Sequence, residues 1–377
     1  LLVVAFCISF FTHPVAADQQ PFEVTAPSAL LIDNATGTVM YEKNADIRRP
    51  IASITKIMTL CIVFEEIESG RLKYTDKIPM SETAKVGGSH VYTDVGHEYT
   101  VEDLIKSVII ASANDCCVLL AEHIAGAEEV FVQRMNIKAK QWGMNNTNFA
   151  NCTGMPAPNS YSTARDIAIM SRELVKHKDF FRWSSIWMDE IKHKNGRVTE
   201  LTNTNRLVRF YDGCDGLKTG YTSEAMHCIS ATAIKNGLRL IAVVLGDSTS
   251  TDRFETAKKL MNYGFANYES KLLAKTGEVV ENEIKVLGSK IKTIKTVVKD
   301  DVSFLMKKSE QDNITKHVQL PETVTAPIKK GENLGQIIFK KNGLEIARTS
   351  VIAAEGISRA TFWDYFKMLI KKWLGRK

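Results

Sequence analysis

Residues 51–64 are apolar at nearly every position, interrupted only by Ser53, Thr55, Lys56 and Thr59, and they follow Pro50, which suits a first helical turn. That pattern predicts a helix buried on most sides. Residues 101–110 and 116–124 also repeat at helical spacing, with Thr100 and Asp103 as a capping pair for the first and Asp115 as a cap for the second. Two apolar runs, 228–234 and 238–245, flank Lys235-Asn236-Gly237, and Asn-Gly between such runs is the strongest short hairpin signal. Residues 253–263 read as a helix that stops at Gly264. From about Lys275 the texture becomes short alternating stretches such as Glu283-Ile284-Lys285-Val286, with Lys341-Asn342-Gly343 as a second hairpin signal. This predicts a small all-β unit in which no catalytic constellation is visible.

The two ends have their own patterns. Residues 1–11 are an apolar run followed by Thr12-His13-Pro14-Val15-Ala16-Ala17. The run is too short for a bilayer span of about 20 apolar residues, and small Val15 and Ala17 fit a processing site. Residues 1–17 therefore read as a secretory signal peptide, with an uncleaved anchor as the alternative and a mature chain starting near Asp18. At the other end Phe362, Phe366, Leu369, Ile370 and Trp373 fall on one helical stripe, flanked by Lys367, Lys371 and Lys372. Residues 359–377 thus predict an amphipathic helix in a membrane interface, against the alternative of a helix packed on the protein's own core.

With 377 residues, 24% charged and 44% hydrophobic, the chain is ordinary globular material, long enough for two domains. The net charge of +6 comes in part from the basic tail, and no basic run interleaved with aromatics suggests a nucleic-acid surface. Of seven cysteines, Cys7 lies in the leader. The other six allow three disulfides in an exported protein. However, Cys61 and Cys117 sit in apolar helix patterns and Cys116 adjoins Cys117, which favours buried free thiols. No Cys-x-x-Cys or paired-histidine spacing suggests a metal, and no cofactor is expected.

Chemistry enters through three motifs in order: Ser53-Ile54-Thr55-Lys56, Ser112-Ala113-Asn114 and Lys218-Thr219-Gly220. Together they supply a nucleophile, a base, a second hydroxyl and a second cation, the inventory for acyl transfer through a serine ester. Serine and lysine three apart share a helix face, Ser53 falls in the first turn where N–H groups favour negative charge, and a desolvated lysine facing another cation can lose its proton. Lys218 is the candidate second cation. The middle motif lies on a loop between two helices, and the third at the rim of an antiparallel sheet, where Gly220 would let a substrate backbone approach. Each motif alone is weak, because Ser289-Lys290-Ile291-Lys292 and Lys275-Thr276-Gly277 repeat the letters in charged stretches that read as surface. His227 reads as a packing or rim histidine, with proton transfer as the lesser alternative.

These residues resemble the serine D-alanyl-D-alanine carboxypeptidases, the low-molecular-weight penicillin-binding proteins. The similarity includes Ala29-Leu30-Leu31-Ile32-Asp33, Gly87-Gly88-Ser89, Tyr161-Ser162-Thr163-Ala164-Arg165-Asp166 and Asp215-Gly216-Leu217-Lys218-Thr219-Gly220-Tyr221-Thr222, and it runs from about residue 23 to the carboxyl end. The resemblance implies an α/β (α+β) fold, an antiparallel sheet flanked by helices with a helical subdomain, followed by a small all-β domain. The expected divisions are a peptidase domain over 23–268, a β domain over 275–357 and an anchor helix over 359–377.

For the site it implies Ser53 as acylated nucleophile and Lys56 as its base, with Ser112 and Asn114 moving protons and holding the substrate amide. Lys218, Thr219 and Arg253 would face the substrate carboxylate, and the N–H groups of Ser53 and Tyr221 would form the oxyanion hole. The implied partners are the peptidoglycan stem peptide ending in D-Ala-D-Ala, β-lactams as covalent inhibitors and a membrane surface. The implied location is the outer face of the bacterial cytoplasmic membrane. Two departures stand out: Ser-Ala-Asn-Asp-Cys at 112–116 where the family has Ser-Gly-Asn-Asp-Ala, and Ala225-Met226-His227 where it has Ala-Gly and an aromatic. If that glycine has positive φ, Met226 is strained by about 1 kcal/mol or more. Competing readings are a serine β-lactamase, although no Glu occurs over 130–172 to serve class A deacylation, and a non-catalytic penicillin-binding or scaffold protein.

Overall fold

The computed structural model describes residues 22–311 and 313–375, so the leader-like segment 1–17 lies outside the described residues. Strands β1 (Ser28–Asp33) and β2 (Val39–Lys43) open the chain, followed by a 3-10 turn, Ala52–Thr55, and helix α1 (Lys56–Glu68). A small hairpin, β3 (Lys77–Pro79) with β4 (Glu98–Thr100), precedes α2 (Val101–Ile110), α3 (Asn114–Ala125), α4 (Glu128–Gln141) and α5 (Ala164–Lys176). The single turn α6 (Phe181–Ser184), a hairpin of β5 (Met188–Lys192) and β6 (Val198–Thr202), and the turn α7 (Leu207–Phe210) lead to three long strands. These are β7 (Cys214–Thr222), β8 (Met226–Lys235) and β9 (Leu238–Asp247), followed by α8 (Ser250–Asn267).

The main sheet runs β2-β1-β9-β8-β7, antiparallel throughout. Period-two alternation explains why its strands read as unbroken apolar runs. Along β9, Leu240, Ala242 and Val244 join α8 residues Phe254, Leu260 and Met261 in one core, while Ile241, Val243 and Leu245 join α1, α3 and α5 in the other. Both faces are covered, so both parities are apolar. Asn236 and Gly237 have φ of 48° and 79°, the two positive values that a tight hairpin turn needs.

The structure redraws several local readings. The helix after Pro50 starts as a 3-10 turn, because Ala52 has φ 48°. Thr100 caps α2 as expected, its Oγ1 accepting from Asp103 N at 3.1 Å. Asp115 does not cap α3; instead it accepts from Thr93 N and Thr93 Oγ1, tying down the 91–93 loop. The last helix of this domain does not stop at Gly264: α8 continues to Asn267, with Gly264 packed so tightly that a Cβ would lie 2.5 Å from Leu240.

The chain then forms β10 (Tyr268–Ala274), β11 (Val279–Leu287), β12 (Thr293–Val298), β13 (Val302–Lys307), β14 (Ile314–Gln319), β15 (Thr323–Thr325), β16 (Asn333–Lys341) and β17 (Leu344–Ala353). β10 pairs with β13, and the others form a sheet in the order β14-β16-β17-β12-β11-β15. Asn342 and Gly343 turn the β16–β17 hairpin with positive φ, as their letters predict. Helix α9 (Phe362–Trp373) closes the described chain.

Candidate active site

The turn carrying Ser53 is held between two glycines. A Cβ on Gly220 would fall 2.8 Å from Ile51 O and 3.1 Å from Ser53 N, and one on Gly154 would fall 1.9 Å from Ala52 O. Gly220 is therefore small for the chain's own Ser53 turn, a requirement separate from the expected approach of a substrate backbone. Edge strand β7 runs directly against the Ser53 backbone.

Lys56 is completely buried at the head of α1 and lies 3.0 Å from Ser53 Oγ. Its Nζ also donates to Asn114 Oδ1 at 2.6 Å and to Thr153 O at 2.7 Å. Asn114 is fixed in turn, since its Nδ2 donates to Gly87 O at 2.6 Å. Burial lowers the Lys56 pKa, opposed by nearby Cys117, Cys152 and Asp115. A neutral amine has two N–H bonds and one lone pair. In that form Asn114 and Thr153 would take the two donors and leave the lone pair for the serine hydroxyl, whereas as an ammonium Lys56 donates to Ser53 Oγ as well.

Ser112 is buried at φ 62° in the turn between α2 and α3. Lys218 is 2% exposed, and burial, then Lys56 and Arg253, hold its pKa well below the usual lysine value. Thr219 Oγ1 donates to Thr204 Oγ1 at 2.8 Å. Arg253 on α8 donates from Nη1 to Gly220 O and Cys228 O, both at 3.2 Å, and from Nη2 to Ser250 Oγ at 3.1 Å. Its Nε is buried without a partner, and burial pulls the guanidinium down to about 10, still cationic at neutral pH. Thr204 and Arg253 share the lining of a recess of about 660 Å³. Tyr221 is exposed and stacks on His227, ring centroids 4.5 Å apart, so His227 sits at the rim. Met226 takes the positive φ of 55° that its replacement of glycine raised as a concern.

The motifs give no role to Thr153, Gly154 and Thr204, and name Gly87 only as part of the resemblance, not as the carbonyl that holds Asn114. Asn151 folds the 151–154 turn by accepting from Thr153 N and Gly154 N, and Thr59 Oγ1 holds it to α1 through Cys152 O at 2.8 Å. Backbone carbonyls leave no signature in side-chain letters. The six cysteines among the described residues are all free and buried.

A family model described as D-alanyl-D-alanine carboxypeptidase matches residues 14–249, and one described as penicillin-binding protein 5, C-terminal domain, matches 268–359. The chain belongs to the D-alanyl-D-alanine carboxypeptidase family. It is 38% identical over 375 residues to the D-alanyl-D-alanine carboxypeptidase DacF of Bacillus subtilis, covering 99% of this chain and 96% of the relative. It is 32% identical over 393 residues to DacC of Escherichia coli, covering 98% and 95%. Among solved structures, penicillin-binding protein 5 of Haemophilus influenzae aligns with TM-score 0.71 and 30% identity over 90% of this chain and 99% of that one. The peptidoglycan synthesis regulatory factor PBP3 of Streptococcus pneumoniae aligns with TM-score 0.73 and 25% identity over 89% of this chain and 100% of that one. This chain is accordingly a D-alanyl-D-alanine carboxypeptidase, with the mixed architecture of that family. In this carboxypeptidase the three motifs meet at one place, whereas the second copies of two of them lie far along the chain in the β domain.

Proposed function

We propose that the carboxypeptidase acts through an acyl-enzyme on Ser53, removing the terminal D-alanine from peptidoglycan stem peptides. The observation that carries this reading is the completely buried Lys56 beside Ser53 with its other two contacts taken by neutral oxygens. Neutral Lys56 takes the Ser53 proton as Oγ attacks the penultimate D-alanyl carbonyl. The N–H groups of Ser53 and Tyr221 receive the oxyanion. The proton passes by way of Ser112 to the departing amine, the C–N bond breaks and D-alanine leaves. Water then repeats the attack on the ester with the same base, restoring the serine. Asn114 orients Lys56 and the substrate amide, while Lys218, Thr219 and Arg253 receive the terminal carboxylate. A β-lactam follows the same first step, but its leaving amine stays tethered. The test is D-alanine release from a D-Ala-D-Ala peptide before and after stoichiometric penicillin. Release that stops as label accumulates supports the reading, and release that persists at full labelling contradicts it.

For location, the reading is an exported protein held at the outer face of the cytoplasmic membrane by α9. No helix among the described residues is long and apolar enough to cross a membrane, so attachment would be interfacial. Support comes from exposure: Leu369 is 66% and Trp373 88% exposed, against packing on the core. Asp364, by contrast, faces the β11–β12 turn, paired with Lys290 at 2.6 Å, while Ala360 N donates to Gly288 O at 2.7 Å. Removal of residues 359–377 should abolish sedimentation with anionic vesicles and spare peptidase activity. Retained sedimentation would contradict the anchor.

A further inference from the structure

Two recesses adjoin β7 near the nucleophile, and they differ in chemistry. The larger, already described, is cationic through Arg206 and Arg253 and lies by Thr204, the partner of Thr219. The smaller, about 310 Å³, is lined by Pro50, Ile51, Ala52, Met155, Pro156 and their neighbours on one side and by Thr222 and Glu224 on the other. Of its described lining residues, only Glu224 is ionisable.

We propose that the smaller recess receives the third residue from the carboxyl end of the stem peptide, and that Glu224 selects a side chain of methylenes ending in a free ammonium group. This rests on the reading that Ser53 attacks with the terminal carboxylate near Thr219 and Arg253. An edge strand such as β7 offers its outer rim to an extended peptide. Thr219 and Thr222 are three residues apart, about 10 Å along a strand, which matches three residues of an extended peptide. With the carboxylate at Thr219, the chain crosses Ser53 and brings its third residue opposite Thr222, beside the smaller recess. The prolines, Ile51 and Met155 offer apolar walls to methylenes, and the far wall ends in a carboxylate. Turn donors, first its own backbone N–H and then Ser223 and Thr222, hold the Glu224 carboxyl below its ordinary value, so it is anionic at neutral pH. The occupant this chemistry fits is the cross-linking amine of an uncross-linked stem; once acylated, that nitrogen loses its charge. Glu224 would thus favour trimming of stems whose amine is still free.

The test uses two soluble peptides ending in D-Ala-D-Ala whose third residue is lysine with its side-chain amine free or acetylated. kcat and KM for D-alanine release are measured on the full chain and on Glu224→Gln and Glu224→Lys. Because Glu224 is solvent-exposed, the parent should favour the free amine by about two- to fivefold, carried in KM and shrinking as salt rises. The ratio should fall to about one in Glu224→Gln and reverse in Glu224→Lys, with thermal midpoints of the variants confirming that they fold. Equal use of both peptides by the parent, or a preference that survives Glu224→Gln, would overturn the assignment. Failure of the parent to release D-alanine from either peptide would instead contradict the Ser53 reading beneath it.

Discussion

The chain carries the letters S-x-x-K and K-T-G twice each, and the two copies differ in where the lysine sits. Lys56 and Lys218 are buried beneath the peptidase cleft, whereas Lys292 and Lys275 are exposed in the β domain. Ser53 lies on a turn pressed between two glycines. Ser289 is also buried, correcting the reading of that stretch as plain surface, but it serves a turn, its Oγ accepting from Ile291 N at 3.2 Å. Burial, not spacing, separates the pairs: only a lysine stripped of water has reason to be neutral near pH 7.

The largest expected effect that separates the copies is at the base. Lys56→Arg and Lys56→Ala should each slow acylation by penicillin about 10²- to 10⁴-fold, since arginine keeps the charge but cannot act as base. Lys292→Ala should leave the rate intact. Acylation by the parent should rise as pH climbs through the lowered Lys56 pKa, because the base must be neutral, and stopped-flow rates across pH should find that limb missing in Lys56→Arg. A substantial rate in the arginine variant would reduce Lys56 to an electrostatic partner.

The glycines sharpen the same contrast. Gly220→Ala must push the Ser53 turn aside, and a displacement near 1 Å costs about 10²-fold in kcat/KM. Gly277→Ala meets no atom, but its φ of 79° should cost about 1 kcal/mol of stability in denaturant titration with peptidase rates kept. Equal losses of activity would break the comparison. Next in size, Arg253→Ala should lower kcat/KM about ten- to hundredfold for peptides ending in a free carboxylate and much less for esters lacking one, as parallel assays would show.

What was legible in the sequence follows from what side chains record. Motif spacing singles out Ser53, Lys56, Asn114 and Lys218, which the structure brings together around Lys56, and the two Asn-Gly hairpins follow from the φ values those residues tolerate. The paired apolar runs of β8 and β9 gave the sheet because both of its faces are covered. Nothing in Ile51-Ala52 signals the left-handed alanine through which the chain enters α1, a conformation imposed by the packing of Gly154 and Gly220. Gly264 looked like a stop because glycine often ends helices, yet here it allows α8 to approach Leu240 and Leu31 on the sheet. The carbonyl of Thr153 and the hydroxyl of Thr204 reach the site through long-range folding that no local pattern encodes.

A last contrast concerns stability rather than rate. Lys56 and Lys218 have folded pKa values below their unfolded ones, so between the two the unfolded chain binds more protons and stability rises with pH. The limit is about 1.4 kcal/mol per pH unit for each lysine, lost again as pH falls. Urea midpoints from pH 7 to pH 10 should therefore climb in the parent, and Lys218→Met should flatten the climb. An unchanged slope would mean that burial does not lower the Lys218 pKa in the folded chain.

The claim that Ser53, activated by a buried neutral lysine, is the acylated residue is tested most directly by intact-mass analysis and peptide mapping after exposure to a β-lactam. The account predicts one adduct on the parent and on Ser289→Ala, mapped to Ser53, and none on Ser53→Ala. An adduct on folded Ser53→Ala, or one mapped to Ser289, would contradict it.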